Sequence, residues 1–422
     1  MTNEMEYLMH LYARGAKGEP ASPPKKSVDW NKIVYLAANQ SITYTVAMAI
    51  KTSETGCPED IKSKMIAMLR GGAIKNTIKR EGILKLVNKM KDKGIDVIII
   101  KGFDVSRFYA NPECRVSSDT DLLIRISDEK KAVQLLKQEG FKVEVRNKTD
   151  NHSVAARSDL GMVELHVKLL PDVFNLEIFD KFQLEKKAIN NRVKIDFYDM
   201  PYYGLNVDDS IAFLTYHMMK HLMASGMSLR MIMDIALYAK YNIGSINKDE
   251  YEQLLKKTHY YYTMQLIFGM AVKYFGFSEN DFPITPVVCD EKIALIINDL
   301  EEGGWQGVNV TEERFVFWNY YLRKRTLYGR EKKRSYFYLS KKYWAFNITK
   351  LFVSKEELAR DYPLIKQHSE LYLLLSMKRI IDKVYKRVSS MVVNTKKYYL
   401  SEDDMTDIDQ NRLYMLKRLE IM

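Results

Sequence analysis

Asp119 and Asp121 stand two residues apart in the segment DTDLLIRI, where polar and apolar residues alternate as in a half-buried strand. That spacing puts both carboxylates on one face, while Thr120, Leu122 and Ile124 point into a core. A second segment repeats the pattern, with Val163, Leu165 and Val167 inward and Glu164 and His166 outward. If the two strands are neighbours, three carboxylates meet with no basic residue between them. Such a cluster repels itself and raises its own pKa values unless a cation sits within it. Mg²⁺ is the natural cation, with Mn²⁺ as its alternative, because the ligands are hard oxygens. Two ions about 4 Å apart would activate an attacking hydroxyl and stabilise a leaving pyrophosphate. The competing reading of a lone D-x-D is a solvated strand edge. Lys101–Gly102, at the end of the run IIIKG, falls where a strand passes into a helix and a phosphate is favoured. Arg115, four residues before Asp119, offers a planar fork for a triphosphate.

These residues need a sheet to hold them. Asp96–Lys101 reads as a buried strand, followed by a short helix to Tyr109. Asp119–Ile126 is the next strand, with Leu122, Ile124 and Ile126 on its core face. A capped helix from Ser127 to Gly140 follows, and then strands at Phe141–Arg146, His152–Arg157 and Met162–Lys168. Before this unit, residues 1–27 read as a loose segment, its linker at Gly15–Lys26, and 28–95 as a helical lead-in. After it, 171–285 reads as a helical domain with helices at Asp208–His221, Leu229–Tyr238 and Asp249–Phe275. Residues 286–422 read as a basic, aromatic helical region. The fold class expected is α+β: a small mixed-sheet core at 96–170 flanked by N-terminal and C-terminal helices.

Composition narrows the class of protein. With 422 residues, two or three packed units are the prior. Apolar residues at 46% and charged residues at 28% argue against wholesale disorder. The net charge of +11 suits polyanionic partners. Cys57, Cys114 and Cys289 are far apart, which disfavours a disulfide framework and a cysteine zinc site and fits a cytoplasmic setting. No apolar run reaches the ~18 residues of a membrane span, and the first 26 residues lack the pattern of a secretory signal.

Weaker signals compete with plainer readings. His217 and His221 share a helical face at the spacing of a two-histidine metal clamp, but an interhelical polar network with Asp234 is the stronger reading. Arg230 and Asp234, four apart, suggest simple pairing. His152 could face a nucleotide, though a local hydrogen bond is the commoner role for a lone histidine. In Arg323–Lys342, aromatics interleave with cations as in a nucleic-acid surface, against a plainer pair of solvated helices.

Taken together, Lys101–Gly102, Tyr109, Arg115, the DTDLL at 119–123 and the VELH at 163–166 resemble the bacterial nucleotidyltransferase family proteins of the DNA polymerase β-type superfamily. A weaker likeness runs through His217, His221, Arg230 and Asp234 and returns at YPLIKQHSELYLLL from Tyr362. Departures are Phe103 in place of the usual serine after the glycine, and sixteen residues between Gly102 and Asp119. The resemblance implies transfer of a nucleoside monophosphate from a nucleoside triphosphate such as ATP to an acceptor hydroxyl, with release of pyrophosphate. It makes Asp119, Asp121 and Glu164 the metal-binding, catalytic residues, Glu164 also drawing a proton from the acceptor. It places Lys101, Gly102, Arg115, His152 and His166 at the nucleotide, with His217, His221, Arg230 and Asp234 as contacts from a second domain. The acceptor stays open among a small molecule, a sugar, a protein and an RNA. Two other functions compete: a nucleotide-binding regulator without turnover, and a nucleic-acid binder acting through the basic C-terminal region. Asp121→Asn is expected to abolish transfer and leave the fold intact.

Overall fold

In the computed structural model, the strands that carry the acids belong to one five-stranded mixed sheet. The structure describes residues 1–146, 151–169, 188–198, 200–224 and 226–302, with a few positions between 358 and 419. Strand β1 (Val97–Ile100) is fully buried, as its unbroken aliphatic run requires. It pairs antiparallel with β2 (Asp119–Ile124), which lies parallel to β5 (Gly161–His166). Antiparallel β4 (His152–Arg157) and β3 (Lys142–Glu144) complete the sheet. The parallel register sets Asp121 opposite Glu164, so the outward faces of β2 and β5 coincide. On the other face Leu122, Ile124, Val163 and Leu165 pack against Ile83, Leu86 and Leu136 of the flanking helices. Strand β2 ends earlier than its sequence suggests: Ile126, expected in the core, is 63% exposed in a 3₁₀ turn.

The N-terminal residues are not loose. Helix α1 (Asn3–Lys17) is capped by the Thr2 hydroxyl and closed by Gly18 in the left-handed region. Met5, Leu8, Met9 and Tyr12, spaced for one helical face, are fully buried. Gly15 allows close contact with the next layer, since a β-carbon there would meet the Thr45 carbonyl at 2.1 Å. Helices α2 (Trp30–Asn39), α3 (Thr43–Thr52) and the long α4 (Glu59–Asp92) follow, where a helical lead-in is expected. The short α5 (Gly102–Ser106) leaves β1, and α6 (Glu129–Gln138) leaves β2.

The text after residue 170 is less uniformly helical than the sequence suggests. A hairpin of β6 (Val193–Phe197) and β7 (Met200–Gly204) adds a second, two-stranded sheet, and Ile195, Phe197 and Tyr202 join the sheet core. Helices α7 (Val207–Ala224) and α8 (Leu229–Asn242) come next. The single helix expected over Asp249–Phe275 is two, α9 (Lys248–Thr258) and α10 (Tyr261–Phe275), divided at His259 with φ 61°. Helix α11 is Asp290–Glu302.

Residues 1–315 with 415–421 form one compact unit, so the expected divisions at 27, 95 and 170 all fall inside it. The division at 285 falls inside it as well. A second unit spans 316–414 and residue 422, and its described residues include a small apolar cluster of Leu358 and Leu375 with Tyr362 and Leu371. The basic stretch Arg323–Lys342 and most of the segment from Tyr362 lie outside the described residues. No helix among the described residues is long and apolar enough to cross a membrane.

Candidate active site

The β2–β5 register brings the predicted acids together. One oxygen from each of Asp119, Asp121 and Glu164 lies within 4.8 Å of the others. Asp119 accepts from the hydroxyls of Ser117 at 3.1 Å and Ser118 at 3.4 Å. Asp121 is only 3% exposed.

A basic residue does enter the cluster, contrary to the sequence reading. The Lys101 ammonium lies 2.6 Å from Asp121 Oδ1. Burial disfavours its charge, yet Asp121, Asp119 and Glu164 outweigh that and raise its pKa. Lys101 holds φ 58° and ψ −130°, a conformation that is strained for a residue with a β-carbon. From this position at the end of β1 the side chain reaches the acids. His166 is also drawn in, its Nε2 at 2.9 Å from Asp121 Oδ1 and 3.1 Å from Glu164 Oε2. Burial opposes a charge on this ring, but its hydrogen bonds to the two acids raise its pKa. Burial also pushes the Glu164 carboxyl up, and the hydrogen bond from His166 with the charge of Lys101 overcomes it, leaving Glu164 at about 2.

Asn151, just before β4, bridges the two histidines. Its amide nitrogen donates to His166 Nδ1 at 3.2 Å, and its oxygen accepts from His152 Nδ1 at 3.0 Å. The other nitrogen of His152 is then left with a lone pair, 3.8 Å from Glu164 Oε1. Burial keeps this ring neutral by lowering its pKa.

Arg115 does not face this cluster as a free phosphate clamp. Its guanidinium binds Asp234 of α8 through two contacts, Nη2–Oδ2 at 2.6 Å and Nε–Oδ1 at 3.3 Å. Tyr109 donates to the same carboxylate at 2.8 Å, so Tyr12 of α1 must donate to Tyr109 at 2.9 Å. This buried network is where Asp234 goes, in place of the expected partnership with His217 and His221. Arg230 donates to the Val116 carbonyl at 2.7 Å, tying α8 to the approach to β2. Gly102 serves the same network: a β-carbon there would fall 2.2 Å from Arg115 Nη1. Gly102→Ala is therefore expected to destabilise the protein by about 1–3 kcal/mol, read as a lower melting temperature by circular dichroism. An unchanged melting temperature would show that Arg115 has room to move.

His217 and His221 pack edge to face on α7, ring centres 4.6 Å apart. Burial depresses both pKa values well below the usual range, and the nearby lysine charges add to it. Among the described residues, no potential metal-holding cluster includes either of them.

Two functional candidates escaped the sequence reading. Lys220 lies on the same helical face as His217 and His221, and that i, i+3, i+4 spacing was the available signal. It makes no ion pair among the described residues. Burial lowers it to about 8, the charge of Lys101 adds to the drop, and Glu164, Asp121 and Asp119 partly offset it. Lys79 of α4 is likewise lowered to about 8 by burial and feels Asp119. It donates to the Ser117 carbonyl at 3.0 Å.

An α+β unit with paired acids on one strand and a third acid on its parallel neighbour is a nucleotidyl-transfer architecture by resemblance, and sequence comparison supports the class independently. A profile of the uncharacterised nucleotidyltransferase family matches residues 26–276, more than half of the chain, and the protein belongs to that family. It is thus an enzyme of the nucleotidyl-transfer class. No curated protein matches the chain. Among solved structures, the antibiotic-resistance factor ANT(2'')-Ia is similar at 13% identity, with a TM-score of 0.33, over 45% of this chain and 95% of that one. An antigenic nucleotidyltransferase-like protein from Paracoccidioides brasiliensis is similar at 16% identity, with a TM-score of 0.27, over 39% and 76%.

Proposed function

We propose that the protein transfers a nucleoside monophosphate from a nucleoside triphosphate to an acceptor hydroxyl, releasing pyrophosphate, with Mg²⁺ or Mn²⁺ held by Asp119, Asp121 and Glu164. The observation that carries this reading is the convergence of those three carboxylates across the β2–β5 pair. Their chemistry fits the ion: three hard oxygen donors, at a place where the fold already sets an ammonium against Asp121. Bound there, the ion would neutralise phosphate charge and stabilise the charge that develops in transfer.

The protein's own groups divide the remaining work. Asp119, held by two serine hydroxyls and more exposed than the buried Asp121, is open to a substrate. Lys101 pairs with Asp121 and holds that carboxylate in place. Lys220 and Lys79 are the cations available to the phosphates, because Arg115 is committed to Asp234. Lys220→Met is expected to raise the KM for the nucleotide roughly tenfold with a smaller change in kcat. A normal KM in steady-state assays would remove Lys220 from the phosphate site.

The test of the function is incubation with α-³²P-labelled nucleoside triphosphates, Mg²⁺ and cell extract. Label should enter an acceptor fraction as pyrophosphate appears. One observation favours a second reading, nucleotide binding without turnover: the ion pair of Lys101 with Asp121 closes one side of the acid cluster. Calorimetric binding of a triphosphate with no pyrophosphate released from any of the four nucleotides would select it.

A further inference from the structure

We infer that His152, Glu164 and His166 form a second cation position, adjoining the acid trio, that takes a borderline first-row ion of the Zn²⁺ type in preference to Mg²⁺. One ligand atom from each of the three lies within 4.8 Å of the others. The position is built by strand pairing: His152 of β4 is the direct cross-strand partner of His166 of β5, and Glu164 follows two residues back on the same face. Their rings are 4.9 Å apart, centre to centre. Glu164 Oε2 is 3.1 Å from His166 Nε2, and Glu164 Oε1 is 3.8 Å from His152 Nε2. A tetrahedral ion with bonds of about 2.1 Å holds its ligand atoms about 3.4 Å apart, inside the 4.8 Å that spans one ligand atom from each of these residues. Two imidazoles and one carboxylate suit Zn²⁺ and its neighbours, whereas Mg²⁺ prefers oxygen throughout. Three protein ligands also leave a fourth position for water or a phosphate oxygen.

Asn151 supplies the support that metal-binding histidines require. Its oxygen already fixes His152 with the proton on Nδ1 and the lone pair of Nε2 toward Glu164. His166 is held in the opposite tautomer, with its Nε2 proton shared between Asp121 and Glu164. On uptake of the ion that proton moves from Nε2 to Nδ1, so the ring stays neutral and the Nε2 lone pair is freed for the metal. The Asn151 oxygen, which has two lone pairs, then accepts from both Nδ1–H groups after a rotation of its amide.

The inference goes beyond nucleotidyl transfer and does not depend on it, although Glu164 is common to both sites. The experiment is Zn²⁺ binding to the EDTA-treated full chain, purified without a histidine tag and measured in competition with a chromophoric chelator. Wild type should bind one ion, and His152→Ala should weaken that binding at least tenfold. Asn151→Asp should tighten it, because a carboxylate accepts from both rings at once. Asp119→Asn should retain most of the affinity, since Asp119 belongs to the acid trio alone. Three results overturn the inference: no Zn²⁺ bound by folded wild type, equal affinity in His152→Ala, or loss of the ion in Asp119→Asn. The last would place the ion among the three acids and leave the proposed function standing.

Discussion

Asp119→Asn is expected to slow nucleotidyl transfer by roughly 10³-fold, equivalent to about 4 kcal/mol of barrier, with almost no change in melting temperature. The asymmetry comes from the surroundings of the three acids. Asp119 is half-buried and bonded to two neutral hydroxyls, which bond an amide oxygen nearly as well. Asp121 is different. It carries the buried ammonium of Lys101 and the ring of His166, so Asp121→Asn removes the closest counter-charge of two buried groups and lowers stability as well as activity. That revises the expectation from sequence, under which the Asp121 variant was the clean probe. Steady-state pyrophosphate release and thermal melting, measured on both variants, separate the effects. Full activity in Asp119→Asn would remove that residue from the chemistry.

The second large effect is on folding. Arg115→Met is expected to destabilise the protein by about 3–5 kcal/mol, because Asp234 is left charged and buried. Tyr109, with Tyr12 behind it, still donates to that carboxylate but brings no counter-charge. A double variant, Arg115→Met with Asp234→Leu, should recover part of the loss, since a buried pair replaced by apolar groups of similar size is often tolerated. Urea unfolding of the single and double variants measures both quantities. If Arg115 were instead a phosphate clamp, the single variant would melt like wild type and show a greatly raised KM for the nucleotide.

The contrast between Arg115 and Asp119 shows what a single chain makes legible. The acids could be read because a strand has a period of two: once Leu122 and Leu165 face the core, Asp121 and Glu164 must face the other way. Their convergence then needed only that β2 and β5 be neighbours. Arg115 could not be read, because its partner Asp234 lies 119 residues away and ordinary sequence spacing is silent about such pairs. The same holds for Lys79, which reaches the site from a helix that precedes the sheet.

Local signals were lost where a stronger neighbouring pattern covered them. Ile195 and Phe197 alternate with Lys194 and Asp196 as in a strand, but the helical text around them dominates the segment. In α1 the apolar spacing and the Thr2 cap are present in sequence, yet the Gly- and Pro-containing stretch after them suggests a linker. The break between α9 and α10 falls at His259, with no Gly or Pro to mark it.

The most direct test of the account is a crystal structure of the protein with Mn²⁺ and a non-hydrolysable nucleoside triphosphate, read by anomalous scattering. The account predicts a Mn²⁺ peak bonded to oxygens of Asp119, Asp121 and Glu164, with the triphosphate on the side of Lys220. A peak elsewhere, or an acid cluster still closed by Lys101 with the nucleotide bound at another surface, would contradict it.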